Sequence, residues 1–346
     1  MTDVNQDIEA TAGDDTPRTT ESSSGRRTLA LLSKYAFLAV FASFVVFFST
    51  QSDVFLNGSN LVNILEANAI LLIAALAMTL VVASGGIDLS IGIAVDFGGW
   101  LAIVAMMDYN AVWPFAIVIA IAAGSAVGMF NSFLIVRLSI SPFLATLGTL
   151  FIGSSIQRIY TSGGGQVPYR EMPQGYRNLS TGEFAGIPSE IVIAAVILLA
   201  YYVLLERSTH GKRIHAIGLQ RSAARISGLK VGRYLVFVFV FAAATAAMSG
   251  VILTAGLRQF TPLGGFTYLL DSIAAVFIGA SIHPRLRPNV PGTLLGVLFL
   301  GVVSNGLNLM GLEFNFRDAL EGIILVGALA LAMLQRRFAS DRMISG

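Results

Sequence analysis

Ten apolar runs, each long enough or nearly so to cross about 30 Å of hydrocarbon at about 1.5 Å per residue, divide the chain between residues 35 and 335. They lie at 35–48, 61–83, 88–107, 112–136, 142–160, 187–205, 234–255, 267–282, 291–311 and 317–335. A water-soluble fold has no means of hiding that much apolar surface. Hydrophobic residues make up 55% of the chain and charged residues 12%, with a mean hydropathy of +0.75, whereas soluble domains carry about 25% charge. The pattern predicts an all-α polytopic integral membrane protein of about ten transmembrane helices, because only a helix satisfies its own backbone polar groups inside each such run.

Charge sets the expected topology. Residues 1–28 are polar, with Asp3, Asp7, Glu9, Asp14 and Asp15 ahead of a Thr/Ser-rich stretch; they are too poor in apolar residues to fold alone and are expected to form a disordered cytoplasmic tail. Residues 29–340 then form one transmembrane domain. The run from Tyr35 to Phe48 follows a long acidic tail and precedes no small-x-small cleavage site, so it is read as an uncleaved first span. With both termini cytoplasmic, only Arg158, Arg170, Arg177, Arg258 and Arg317 of the 22 Lys and Arg residues fall outside, the bias expected of a membrane protein. Under this topology the Gly- and Pro-rich segment 161–186 is a periplasmic loop and the basic segment 206–233 is cytoplasmic. Cysteine is absent and histidine numbers three, so no metal site, disulfide or thiol chemistry is expected. One local echo, Leu147-Gly148-x-Leu150-Phe151-x-Gly153 against Leu295-Gly296-x-Leu298-Phe299-x-Gly301, does not extend into the neighbouring spans.

Within the cytoplasmic segment, Ser222, Ala223, Ala224, Ile226 and Leu229 suggest a short helix with small residues on one side, ended by Gly228. Small side chains permit close docking into a groove on another protein. Arg221 and Arg225, one turn apart, suit acidic residues or lipid headgroups. The plain alternative is a basic loop that only fixes topology.

Polar residues inside apolar runs are the other candidates. Asp88 sits in a Gly-Gly break between two runs, where a carboxylate either caps the next helix or takes part in a gate. Asp96 lies eight residues further in, where a charged carboxylate costs about 2.5–3.5 kcal/mol on insertion scales. It needs a polar partner: solute hydroxyls in a water-lined cavity, or a neighbouring helix. Asn68, beside Glu66, and Asn131, Gln157 and Asn305 are either interhelical hydrogen-bonding groups or solute contacts. Asp271 is expected at the start of the eighth span as a further cap. Phe97, Trp100, Tyr109 and Trp113 are candidates for stacking on a solute ring, although an interfacial aromatic belt also accounts for Tyr109 and Trp113.

A resemblance covers residues 60 to 335. Ala216-Ile-Gly218 with Ala223-Ala-Arg225-Ile-Ser-Gly228, Ser84-Gly-Gly-Ile-Asp88-Leu-Ser-Ile-Gly92, Asn131, Pro142-Phe143, Thr146-Leu-Gly148, Leu270-Asp271-Ser-Ile-Ala-Ala-Val276 with Gly279, and Asn305-Gly-Leu-Asn-Leu309 occur in the order in which similar motifs run through ribose-type ABC sugar permeases. The chain resembles that family. It departs from it at Ser154-Ser155, where Arg-Gly is usual, at Gly218-Leu219-Gln220, where Gly-Gly-Asn is common, and at Ser281-Ile-His-Pro-Arg-Leu-Arg-Pro-Asn-Val-Pro291, which stands in place of a Gly-rich loop. These departures bear on the solute rather than on transport.

The resemblance implies the ABC importer permease fold, a location in the bacterial inner membrane, a partner ATPase, a periplasmic solute-binding protein, and a homodimer or a related second permease. It makes Gly218, Arg221, Ala223, Ala224, Arg225 and Gly228 the ATPase-coupling set. Asp88, Asp96, Asn68, Asn131, Gln157, Asp271 and Asn305 become candidates for the path or gate. No cofactor is expected on this chain, with ATP and Mg on the ATPase: the phosphate-binding pattern Gly-x4-Gly-Lys-Ser/Thr is missing, and Gly211-Lys212-Arg213 lacks its glycine spacing and hydroxyl. Lipid is an expected neighbour and nucleic acid is not. A branched-chain amino-acid or nucleoside permease of the wider superfamily is the nearest alternative, and a proton-driven secondary transporter using Asp88 and Asp96 the more distant one. An intramembrane enzyme finds no His-Glu-x-x-His or convincing Gly-x-Ser-x-Gly pattern.

Overall fold

The structure, a computed structural model, describes residues 23–312 except Pro284, together with scattered positions from 316 to 327. The polar tail through residue 22 and nearly all of the expected last span at 317–335 lie outside the described residues. Every other expected span falls on a helix. In chain order these are α1 (Ser23–Gln51), α2 (Gly58–Ala67), α3 (Ala69–Ala83), α4 (Ile91–Met107), α5 (Trp113–Ser132), α6 (Pro142–Tyr160), α7 (Gln174–Thr181), α8 (Ser189–Tyr202), α9 (Thr209–Leu219), α10 (Arg221–Ile226), α11 (Val231–Leu257), α12 (Gly265–Ile282) and α13 (Val290–Leu309). Single π-helical turns, Phe133–Arg137 and Val203–Arg207, prolong α5 and α8. Helix α1 begins inside the stretch assigned to the disordered tail, since extending a formed helix by a few residues is far easier than nucleating one.

Not every crossing is a straight rod. Five of the described helical spans are long and apolar enough to cross a membrane alone, and α2 with α3, bent by 45° at Asn68, makes a sixth. Helix α4 is shorter because it starts below the protein surface, at a turn where Asp88 and Ser90 are fully buried. Helix α6 is less apolar, carrying Ser154, Ser155, Gln157 and Arg158.

Helix α3 forms the centre. All its residues except Val82 are buried, and α4, α8, α11, α12 and α13 pack around it. Thr79 and Thr293 share a hydrogen bond of 2.6 Å that ties α3 to α13. The Tyr201 hydroxyl donates to Thr245 at 2.9 Å and ties α8 to α11. Helices α4, α5 and α11 cross with their backbones nearly touching, because Gly98, Gly99, Gly124, Gly128 and Gly250 stand at the crossings.

Segments expected on one side of the membrane meet one another. On the side assigned to the periplasm, strand β1 (Val167–Pro168) pairs with β4 (Gln259–Phe260). A second small hairpin joins β2 (Glu183–Phe184) to β3 (Ile187–Pro188). Between these strands α7 lies over the end of α11, with Tyr176 buried and its hydroxyl 2.8 Å from the Thr254 hydroxyl. The long outer loop is thus a folded cover. At the opposite end, the α3–α4 turn meets α9, and the residue before the π-turn's end, Glu206, meets the start of α13.

Candidate functional site

The sequence-predicted residues gather at four places. The first is the α4–α12 contact beneath the outer cover. Asp96 Oδ1 accepts the Gly265 N–H at 2.7 Å, so a carboxylate from one helix caps the first turn of another. This cap from outside fixes the start of α12 at Gly265 and corrects the expectation for Asp271, which lies well inside that helix rather than at its start. Gln157 of α6 sits beside Asp96, and its Oε1 accepts the Leu263 N–H at 2.8 Å. Asp96 Oδ2, Gln157 Nε2 and Trp100 Nε1 are all buried without a hydrogen-bond partner among the described residues. Buried polar atoms are nearly always paired, and an unpaired one costs about 1–3 kcal/mol. Trp100, one turn beyond Asp96, packs its ring against Phe97 at 5.4 Å, Tyr160 at 4.7 Å and Phe260 at 6.0 Å. A cavity of about 10 Å³ lies between Asp96 and α11, lined by Asp96, Gly99, Thr254, Gln259, Phe260 and Thr261, with room for about one water. The site is closed.

The second place is the buried turn before α4. Asp88 Oδ1 accepts both the Ser90 N–H at 2.8 Å and the Ser90 hydroxyl at 2.6 Å. Asn131 Nδ2 donates to Ser90 Oγ at 2.7 Å, and Asn131 Oδ1 accepts the Thr149 hydroxyl at 2.6 Å. The Leu89 N–H donates to Thr146 Oγ1 at 3.0 Å. One chain of hydrogen bonds therefore joins α4, α5 and α6. Asp88 Oδ2 stays unpaired.

At the third place, between α2 and α13, Asn60 and Asn305 exchange reciprocal side-chain hydrogen bonds of 3.0 Å. Asn68 donates to the Ile64 carbonyl at 2.8 Å. Asn63, Asn68, Ser304, Asn305 and Asn308 line a cavity of about 270 Å³ here. Among the aromatics, Tyr109 is exposed, while Trp113 packs under the outer cover beside Gly175, away from Asp96.

The fourth place is the loop region formed by α9 and α10. Ser208 caps α9 by accepting the Gly211 N–H at 3.1 Å. Gly218 packs on Gly85 of the α3–α4 turn, where a Cβ would collide with the Ala83 carbonyl oxygen. Arg221 reaches the Gly85 carbonyl at 3.5 Å. The two alanines expected to act together point apart: Ala224 is 4% exposed and belongs to the protein's own core, whereas Ala223 faces outward. The phase of a six-residue helix is set by what it packs on, which corrects the placing of both on one docking side. Ile226, placed by the sequence in the short helix, and Leu219 just before it were given no docking role there, yet they are 86% (Leu219) and 89% (Ile226) exposed. Their signal was there, as large apolar residues bracketing a helix in a polar, basic stretch. Gly228, with φ of 81°, takes the left-handed conformation just past α10 that glycine adopts without strain.

Buried polar groups thus face one another across closely packed spans, and a basic helical segment with exposed apolar residues lies at one end. The family described as the permease component of branched-chain amino acid transport systems matches residues 60–329. The chain belongs to this permease family. It is 35% identical over 296 residues to the ribose import permease protein of Bacillus subtilis (strain 168), covering 85% of this chain and 91% of the relative. It is 30% identical over 312 residues to the ribose import permease protein of Escherichia coli (strain K12), covering 89% and 97%. The galactose/methyl galactoside import permease protein of Escherichia coli (strain K12) is 30% identical over 317 residues, covering 87% and 93%. No solved structure matches the chain. The permease is a multi-pass membrane protein and acts as the membrane-spanning subunit of an ABC importer.

Proposed function

We propose that this permease carries a neutral, hydroxylated solute of the sugar class across the bacterial inner membrane. A periplasmic binding protein delivers the solute, and a separate ATPase supplies the energy. One observation carries the reading: in a chain of this family, Asp96 Oδ2 and the neighbouring Gln157 Nε2, close to one another but in no hydrogen bond of ordinary geometry, stand with the unpaired donor Trp100 Nε1 beside a cluster of aromatic rings. Sugar hydroxyls both donate and accept, and a sugar's C–H face packs on aromatic rings. The relatives' names, which specify ribose and galactose or methyl galactoside, support the same class.

In this reading both termini are cytoplasmic, and α9 with α10 docks on the ATPase through Leu219, Ala223 and Ile226, with Arg221 and Arg225 supplying positive charge. Ala224, Gly218 and Gly228 hold that surface in shape. ATP and Mg belong to the ATPase, in keeping with the missing phosphate-binding loop. Two permeases, identical or related, complete the path, and Asp88, Asn131, Asn68, Asn305 and Asp271 shape it or gate it around Asp96 and Gln157.

Two variants test the proposal in the assembled transporter. D96N keeps an oxygen for the Gly265 N–H and replaces the free acceptor by a donor; uptake of labelled ribose or galactose is expected to fall by about tenfold or more while the ATPase still co-purifies. I226E is expected to abolish co-purification of the ATPase and uptake together. Undiminished uptake by both variants overturns the proposal.

A further inference from the structure

The turn between α12 and α13 is where the segment leading into α9 is tied down. Glu206, two residues before the cap of α9, reaches across to it with both oxygens. Its Oε1 accepts the Val290 N–H at 3.1 Å, a first-turn donor of α13 that no residue within the helix can satisfy. Its Oε2 lies 3.4 Å from Arg287 Nη2. Arg287 Nε in turn donates to His283 Nε2 at 3.2 Å. Asn289 completes the cap by accepting the Gly292 N–H at 2.8 Å and donating to the Arg287 carbonyl at 3.0 Å. His215 of α9 is buried close enough to feel the charges of Arg287 and His283.

The segment around α9 therefore has two attachments to the spans. Gly218 rests on the α3–α4 turn and so leads to the helix carrying Asp96. Glu206 holds the first turn of α13, the helix whose far end carries Ser304 and Asn305 beside Asn60 and Asn68. We infer that Glu206 and Arg287 are a positioning pair that transmits movement of α9 and α10 to α13. The inference rests on the proposal that α9 and α10 dock on the ATPase. The cation comes from a residue of the Pro- and Arg-containing turn.

The test uses the assembled transporter in vesicles and the chain's lack of cysteine. Ser304→Cys places a single thiol in the α2–α13 cavity, and its rate of labelling by a maleimide is measured without nucleotide and with ATP plus orthovanadate. With Glu206 and Arg287 intact, nucleotide is expected to change the rate by at least about fivefold. E206Q keeps an acceptor for the Val290 N–H but loses the charge opposite Arg287, and R287M removes the cation. Both are expected to abolish the change while the ATPase still co-purifies, and R287K is expected to preserve it. If one variant fails to assemble, the other carries the comparison. A nucleotide-dependent change that survives in E206Q and R287M overturns the inference, as does its absence when the pair is intact. A223W separates this from the docking proposal: if A223W abolishes the change while the pair variants keep it, only the positioning pair is wrong, and if A223W leaves ATPase binding and the change intact, the docking proposal itself fails.

Discussion

His215 shows how far a side chain's setting outweighs its type. Burial, then the positive charges of Arg287 and His283, lower its pKa from 6.5 to about 4; Glu206 is the acid that faces the same cluster. Between those two values the unfolded chain binds a proton that the folded chain refuses, so His215 contributes its full stability above pH 6.5 and loses it as pH falls toward 4. The melting temperature of the solubilised permease is expected to drop by about 2–4 °C more between pH 6.5 and pH 5 than that of H215Q; equal slopes would rule this out. At this scale the sequence was most informative where a residue is costly. Asp96 and Gln157 were legible because a carboxylate and a carboxamide inside apolar runs need partners, and the structure brings the two side by side. Which alanine of Ala223 and Ala224 faces outward was not legible, because nothing within a six-residue helix determines its rotation.

Helix positions followed from apolar runs, but helix ends followed from contacts that no local pattern records. Asp96 starts α12 from another helix, which is why Asp271 was misplaced, and the bend at Asn68 arises without a proline. Helix α7 was hidden in a Gly- and Pro-rich loop because its burial depends on α11 lying beneath it. The junction of α9 with the α3–α4 turn belongs to this scale as well. Gly218 faces backbone there rather than a flexible side chain, so G218A forces the two elements apart. It is expected to destabilise the permease by about 1–3 kcal/mol and to reduce uptake, measured by thermal unfolding and transport, whereas G58A, in open space at the start of α2 and without a positive φ, should leave uptake unchanged. Unimpaired unfolding and uptake in G218A would show that the close approach is dispensable.

For the whole molecule, hydropathy and the distribution of Lys and Arg anticipated which loops share a side, and the contacts pair those loops accordingly. Orientation is tested by single cysteines in this cysteine-free chain. Glu171→Cys in the outer cover is expected to react with a membrane-impermeant maleimide in intact cells, and Lys212→Cys in α9 only after the cells are opened; the reverse pattern would invert the topology and remove the docking proposal with it. The arrangement of the spans around α3 was not legible, since a run that is apolar on all sides fits lipid and protein equally well. Helix α3 is the most apolar of the described helices, yet it is sheathed by its neighbours. Its greasiness reports on the interior of a protein and not on oil. A deep substitution scan should accordingly find side-chain volume, rather than solubility in a bilayer, governing what that helix tolerates.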